Sequence, residues 1–297
     1  MAFTAQNVKE LREMTGCGMM DCKKALTETN GDMDKAVEFL REKGLATAAK
    51  KAGRIASEGI VTIYMSDDKK VAALIEVNSE TDFVAKNDEF LTFVNNTAKI
   101  VAENNPADVE ALKELKYETE TVGEKLTALI AKIGENMNIR RFARVEGNVC
   151  SYIHGGGRIG VLVEAEGVLD TEEKYEAARD VAMQVAAINP LYLSKEVVPA
   201  EDVEKEKKII LAQIKEDPKN SSKPENILEK MVDGKINKFF EQNCLLQQEF
   251  VKNGDFKVEK YLETKGVKLV NYIRLEKGEG LEKKEENFAD EVASMIK

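Results

Sequence analysis

Apolar residues recur at helical spacing through the first forty positions, and the spacing predicts three short helices: Ala5 to Met14, Asp21 to Thr29 and Met33 to Glu42. Asp21 and Asp32 stand where N-caps are expected, and Thr15-Gly16 and Asn30-Gly31 supply the stops and positive φ values of tight connections. A unit this small has little core, so Leu11, Met14, Leu26, Ala36, Val37 and Leu40 are expected to face one another. A basic, alanine-rich segment, Ala46 to Ala56 with Lys50, Lys51 and Arg54, reads as a solvated helical linker to the rest of the chain.

From there the pattern alternates between strand-like and helix-like periods, and it does so twice. Gly59-Ile60-Val61-Thr62-Ile63-Tyr64 recurs as Gly147-Asn148-Val149-Cys150-Ser151-Tyr152, and Val71, Leu74 and Glu76 recur as Ile159, Leu162 and Glu164, all at a constant offset. In each copy a turn-rich segment, Ser66 to Lys69 or His154 to Gly157, separates two strands and makes a β-hairpin. A helix follows each, Asp88 to Glu103 and Lys174 to Ile188, ending near Pro106 or Pro190. Further on, helix, glycine and strand repeat as Gly123 to Ile133, Gly134 and Asn138 to Glu146, against Phe256 to Lys265, Gly266 and Val267 to Glu276.

The second copy is interrupted by Lys195 to about Asn243. This stretch reads as two helices, Pro199 to Glu216 and Pro224 to Gln242, around the breaker Asp217 to Lys223, with a seam of Ile209, Ile210, Ile214, Ile227, Met231, Ile236 and Phe239-Phe240. The end, Glu282 to Lys297, reads as an amphipathic helix with Phe288, Val292 and Met295 on one face. The expected fold is therefore α+β. A three-helix unit that resembles a ubiquitin-associated (UBA-like) domain spans residues 1–54 with its linker. One α+β subdomain spans 55–146 and its duplicate spans 147–194 with 244–280, each with a three-stranded antiparallel sheet. An inserted helical hairpin covers 195–243, and a C-terminal helix covers 281–297.

Composition narrows the function. A length of 297 residues suggests several cores, and a net charge of −10 opposes broad affinity for nucleic-acid phosphates, which directs expectation to protein partners. Without Trp and with few aromatics, stacking on single strands has little to work with. Cys17, Cys22, Cys150 and Cys244 lack paired spacing, and the first residues lack a basic segment followed by an apolar one, so a reduced, cytoplasmic location is expected. No apolar run approaches the about 20 residues needed to span a bilayer.

Catalytic chemistry has no specific support. His154 is the sole histidine, no GxSxG accompanies it, and the Cys and His positions lack metal-ligand spacing. The glycines after His154 lie inside a hairpin with no helix N-terminus following, so they serve turn geometry rather than a phosphate cradle. What remains is a set of apolar side chains at element edges: Met19 and Met20 beside a glycine, and Phe83 in the polar connection Asn78 to Asn87. Flexible thioethers and rigid aromatics in such places suit protein contacts.

Four stretches together resemble the bacterial elongation factor Ts family. They are Leu11 to Leu26, Thr81 to Lys86, Ala131 to Arg141 and Ser151 to Val163, in order along the chain. The resemblance implies a guanine nucleotide exchange factor for the translational GTPase elongation factor Tu, with no cofactor, no direct nucleic-acid contact and no membrane. It implies that Thr81, Asp82, Phe83 and Val84 approach the GTPase near its magnesium site, Phe83 as a wedge and Asp82 fixing the loop. His154 would favour a rearranged phosphate-binding loop. Lys9, Leu11, Arg12, Met19, Met20 and Lys23 match positions that hold the nucleotide-binding domain, the second α+β unit would grip another domain, and the inserted arm resembles a coiled-coil element through which a homodimer could form.

Overall fold

The computed structural model describes residues 3–15, 17–220 and 223–283. It begins with α1 (Ala5–Thr15), α2 (Met19–Glu28) and α3 (Met33–Lys51). Leu11, Leu26, Ala36 and Cys22 are sealed between these helices, with Leu40 and Val8 close behind and Val37 half-buried at the edge. Met14 departs from expectation at 65% exposed. Val8, Leu11 and Thr15 form the inward stripe of α1, Thr15 closing it through a hydrogen bond from Oγ1 to the Leu11 carbonyl, which leaves Met14 beside the stripe.

Asp32 caps α3 as expected, accepting from the Lys35 amide at 3.1 Å, and Asn30 and Gly31 take positive φ values of 53° and 86°. Asp21 does not cap α2. Gly18 holds that position, and Asp21 sits in the first turn, where its carboxylate suits the helix dipole and pairs with Lys43 of α3. A second correction concerns the linker. The helix does not stop near Glu42 but continues to Lys51, and its small residues let it lie directly on a later helix, α6 (Val122–Ile133). Gly44 is buried there, and a Cβ built on it would meet Ala131 Cβ at 3.6 Å. Ala48 packs against the core of the first α+β unit and Lys51 donates to the Gly134 carbonyl, so the segment is a docked helix end rather than a solvated spacer.

The first α+β unit follows as β1 (Glu58–Met65), β2 (Val71–Ser79), α4 (Asp88–Asn104), α5 (Val109–Lys113), a two-residue ribbon of β3 (Lys116–Tyr117) with β4 (Glu120–Thr121), α6 (Val122–Ile133) and β5 (Met137–Glu146). Its sheet has the order β1-β2-β5, antiparallel throughout. The second unit has β6 (Asn148–His154), β7 (Ile159–Glu166) and α7 (Glu172–Ile188), then an arm of α8 (Ala200–Glu216) and α9 (Glu225–Asn243), then α10 (Val258–Thr264) and β8 (Lys268–Glu276), with sheet order β6-β7-β8. The duplication extends to an irregularity: the register slips after Glu76 in the β2–β5 pair and after Glu164 in the β7–β8 pair, and 164 − 76 = 88. Helices α4 and α7 both end on an asparagine in the left-handed region, Asn105 at φ 47° and Asn189 at φ 51°, one residue before proline.

Helices cover one face of each sheet, with Phe90, Phe93 and Val101 on the first core and Val181, Val185 and Leu262 on the second. The opposite faces meet each other through Val61, Ala72, Leu74, Val145, Val149, Leu162 and Leu275. This is why β2 and β7 read as continuous apolar runs: strands covered on both faces cannot alternate. The arm packs on itself through Ile210, Ile214, Leu228, Val232 and Ile236, and Asn220 closes its bend by donating Nδ2 to the Ile214 carbonyl. Ile209 and Ile227 are exposed rather than part of that seam. The tail expected to be helical, with Phe288, Val292 and Met295, lies outside the described residues. Among the described residues, no helix is long and apolar enough to cross a membrane.

Candidate functional site

The connection after β2 is short and held on both sides of Phe83. Thr81 donates its amide and its hydroxyl to Glu135, at 3.0 and 2.7 Å, and its carbonyl accepts from Ser79 Oγ at 2.9 Å. Glu80 accepts from the Asn136 amide at 2.6 Å. A 3-10 turn over Val84–Lys86 follows, and Asn87 caps α4 by accepting from Glu89 and Phe90. Val84, grouped with the presented residues on sequence grounds, is buried in the first core. In a turn this tight one of two adjacent apolar side chains anchors while the other projects. Phe83 is the one that projects, at 81% exposed. Leaving a phenyl ring in water forgoes about 2 kcal/mol of transfer free energy, a cost that a folded chain offsets elsewhere. Asp82 pairs with Lys86 at 2.6 Å, and that hydrogen bond, with the nearby charge of Lys277, holds its carboxyl below the usual carboxylate range.

His154 ends β6 and is exposed, its Nδ1 3.0 Å from the Tyr152 hydroxyl. The three glycines behind it all take positive φ, at 59°, 63° and 96°, yet the turn is clamped. The Arg158 amide donates to the His154 carbonyl, and the Val61 amide of β1 donates to the Gly157 carbonyl at 2.8 Å. A Cβ on Gly157 would lie 2.2 Å from Ile60 Cγ1, so glycine here is demanded by the approach of another strand as well as by φ. Lys277 connects the two loops. Its amide donates to the Arg158 carbonyl at 2.9 Å, its ammonium pairs with Glu58 at the start of β1, and its charge reaches Asp82. The Phe83 loop and the His154 turn are thus linked through Lys277.

Beneath them lies a residue that the sequence reading used only as a marker of the repeat. Glu76 is fully buried and accepts from Arg141 Nε at 2.6 Å, Arg140 Nη1 at 3.0 Å, Asn78 Nδ2 at 3.1 Å and the Gly278 amide at 2.8 Å. Burial alone would push its carboxyl up. The Gly278 amide, Arg141, Asn78 and Arg140 outweigh it, and the net displacement is downward. The signal available in advance was the pair Arg140-Arg141 on a strand next to an acid in an apolar run.

At the start of α2, Met19 and Met20 are 59% and 73% exposed, and Lys9, Arg12 and Lys23 are exposed as well. Leu11, assigned to the same contact set, is instead fully buried in the three-helix core and can act only by holding α1 in place. Burial raises the Cys22 thiol, and it pushes Cys150 and Cys244 up to about 11, the opposite of an activated thiolate. Among the described residues no group of three His, Cys, Asp or Glu side chains could hold a metal ion.

A family model described as elongation factor TS matches residues 80–279. An elongation factor Ts of Clostridium kluyveri is 55% identical over 99% of both chains, one of Clostridium novyi 56% identical over 97% of both, and one of Clostridium perfringens (strain SM101 / Type A) 55% identical over 99% of both. Matches of that depth and coverage, on this α+β architecture, define a translation elongation factor. The chain belongs to the elongation factor Ts family.

Proposed function

We propose that this protein binds elongation factor Tu in its GDP form, disturbs the magnesium and phosphate-binding site, and so promotes GDP release and GTP rebinding during elongation. The observation that carries the reading is Phe83, a large apolar ring held out into water by a loop fixed on both sides. Rigidity matters because a wedge does work only if it does not fold back. Asp82 holds the loop through Lys86, and Thr81 through Glu135. Val84 contributes as the anchor. His154 acts beside Phe83 on the phosphate-binding loop. Lys9, Arg12, Met19, Met20 and Lys23 grip the nucleotide-binding domain over Leu11, and the second α+β unit holds another domain of the GTPase.

Magnesium neutralises and bridges the nucleotide phosphates, so disturbing its site weakens nucleotide binding without any covalent step. Coupling of this kind is reciprocal: the nucleotide weakens the factor's hold by the same ratio, and incoming GTP displaces it. The protein works in this reading by binding rather than by chemistry, in the cytoplasm, with no cofactor and no nucleic acid. The unit boundaries given by the sequence, with residues 1–54, 55–146 and the interrupted duplicate as separate cores, fit the division of labour. The exposed Ile209 and Ile227 of the arm offer a face for a homodimer.

Phe83→Ala is expected to leave the fold intact and slow factor-stimulated GDP release at least about tenfold, equivalent to about 1.4 kcal/mol of barrier. Stopped-flow release of labelled GDP from elongation factor Tu measures it. An unchanged rate in a folded variant rejects the wedge.

A further inference from the structure

The last backbone pair of the β2–β5 ladder is Ser79 with Met137, and the chain keeps the same register beyond it, Glu80 meeting Asn136 and Thr81 meeting Glu135. In these two pairs a carboxylate stands where a strand would offer a backbone carbonyl. Glu80 accepts from the Asn136 amide at 2.6 Å, and Glu135 accepts from the Thr81 amide at 3.0 Å and from the Thr81 hydroxyl at 2.7 Å. A carboxylate makes a stronger acceptor than a carbonyl, and one that binds the main chain and the side chain of a single residue fixes backbone and rotamer together. Thr81 itself is half-buried, where water could serve both its donors, so the fold alone does not require an acid at position 135.

The turn that carries Glu135, residues 134–136 between α6 and β5, is anchored from another side as well. Lys51, at the end of α3, donates to the Gly134 carbonyl, and the buried Asn136 donates Nδ2 to the Arg54 carbonyl at 2.8 Å. Glu135 therefore reaches Thr81 from a frame held by α6, β5 and the end of α3. We propose that Glu135 is a positioning residue of nucleotide release: it fixes Thr81, two residues before Phe83, and thereby aims the ring at the GTPase. This rests on the exchange reading and adds to it the residue that sets the direction of the wedge. A loop held in this way loses its freedom on folding rather than at the encounter with the partner.

Stopped-flow release of labelled GDP from elongation factor Tu, followed over a range of factor concentrations, separates the rate at saturation from the half-saturating concentration. Glu135→Ala is expected to slow release at saturation about three- to tenfold while shifting the half-saturating concentration less than about twofold, because Met19, Met20 and the residues around the gripped domain are untouched. Glu135→Gln should keep at least about half of the rate, since its carbonyl oxygen can accept from the Thr81 amide while its NH2 donates to Thr81 Oγ1. In a Phe83→Ala background, Glu135→Ala should add no further loss, as no ring remains to be aimed. Circular dichroism and thermal unfolding verify the fold. If Glu135→Ala does not fold, Thr81→Val replaces it, with a loss of about twofold from the missing hydroxyl bond and again no further loss beside Phe83→Ala. A wild-type rate in the folded variant, a loss that persists in full beside Phe83→Ala, or a glutamine variant as slow as the alanine one overturns the proposal. Phe83→Ala at the wild-type rate rejects the wedge and this proposal together, whereas a slow Phe83→Ala beside a normal Glu135→Ala rejects this proposal alone.

Discussion

Glycine at position 157 separates two effects that usually arrive together. Its φ of 96° penalises any side chain, and the strand β1 occupies the place a Cβ would take, whereas Gly156 has a φ of 63° with nothing within 4 Å. Gly156→Ala should therefore cost about 1 kcal/mol of conformational strain. Gly157→Ala should cost several times that, because Ile60 and the Val61 carbonyl must also move. Thermal unfolding of both variants measures the difference; equal costs would show that the clamp on the His154 turn is weak. The same scale shows what a sequence conceals. That Phe83 projects while its neighbour Val84 is buried, or that Leu11 is buried while Met14 is exposed, depends on the phase of a single turn, and residue type does not report phase.

Elements were more readable, for a physical reason. The hairpins, the arm and the repeat rest on periodicity summed over many residues, so local errors average out, and even the slipped register after Glu76 and Glu164 sits at equivalent places in the duplicated pattern. The helix expected to end near Glu42 runs on to Lys51 past Gly44, a poor helix former. Its actual role is close contact with α6, which no local pattern encodes. This gives a prediction with opposite signs. Gly44→Ala places a Cβ at an ordinary 3.6 Å from Ala131 and removes a poor helix former, so it should stabilise by up to about 1 kcal/mol. Gly44→Leu should destabilise by about 1–3 kcal/mol through overpacking that pushes α3 off α6. Denaturant midpoints with unchanged slopes test the pair.

At the scale of the molecule, two sheets from separate copies of one motif are joined by an apolar layer and by one buried carboxylate. Glu76 lies in the first sheet and accepts from Gly278, just past the last strand of the second, so its loss should loosen the seam itself. Glu76→Gln removes the carboxylate that Arg140 and Arg141 share, leaving Arg141 only Glu279, and should cost about 3–5 kcal/mol at neutral pH. Its folded pKa is depressed, so the unfolded chain takes up the proton first as acidity rises. The stabilisation is therefore complete above the unfolded value of about 4.3 and disappears as pH falls through the lower folded value. Urea midpoints of the two proteins should converge on that acid limb; a constant gap down to pH 3 would place the cost elsewhere than in the charge. Beyond its neighbour Asn78, the partners of Glu76 come from positions 140, 141 and 278, and such long-range convergence is what a linear reading cannot assemble.

The unbroken α3 makes the first forty residues the head of a screw whose thread is gripped at Gly44 and Ala48. Each residue of an α-helix turns what lies beyond it by about 100° and advances it about 1.5 Å. Removing Glu42, between Leu40 and Gly44, would thus swing Met19 and Met20 around to another bearing, at the expense of the ion pairs that Arg41 and Lys43 make on either side of it with Glu124 and Asp21. The number of residues in that stretch is consequently an aiming parameter of the molecule, as binding as the identity of any side chain it carries.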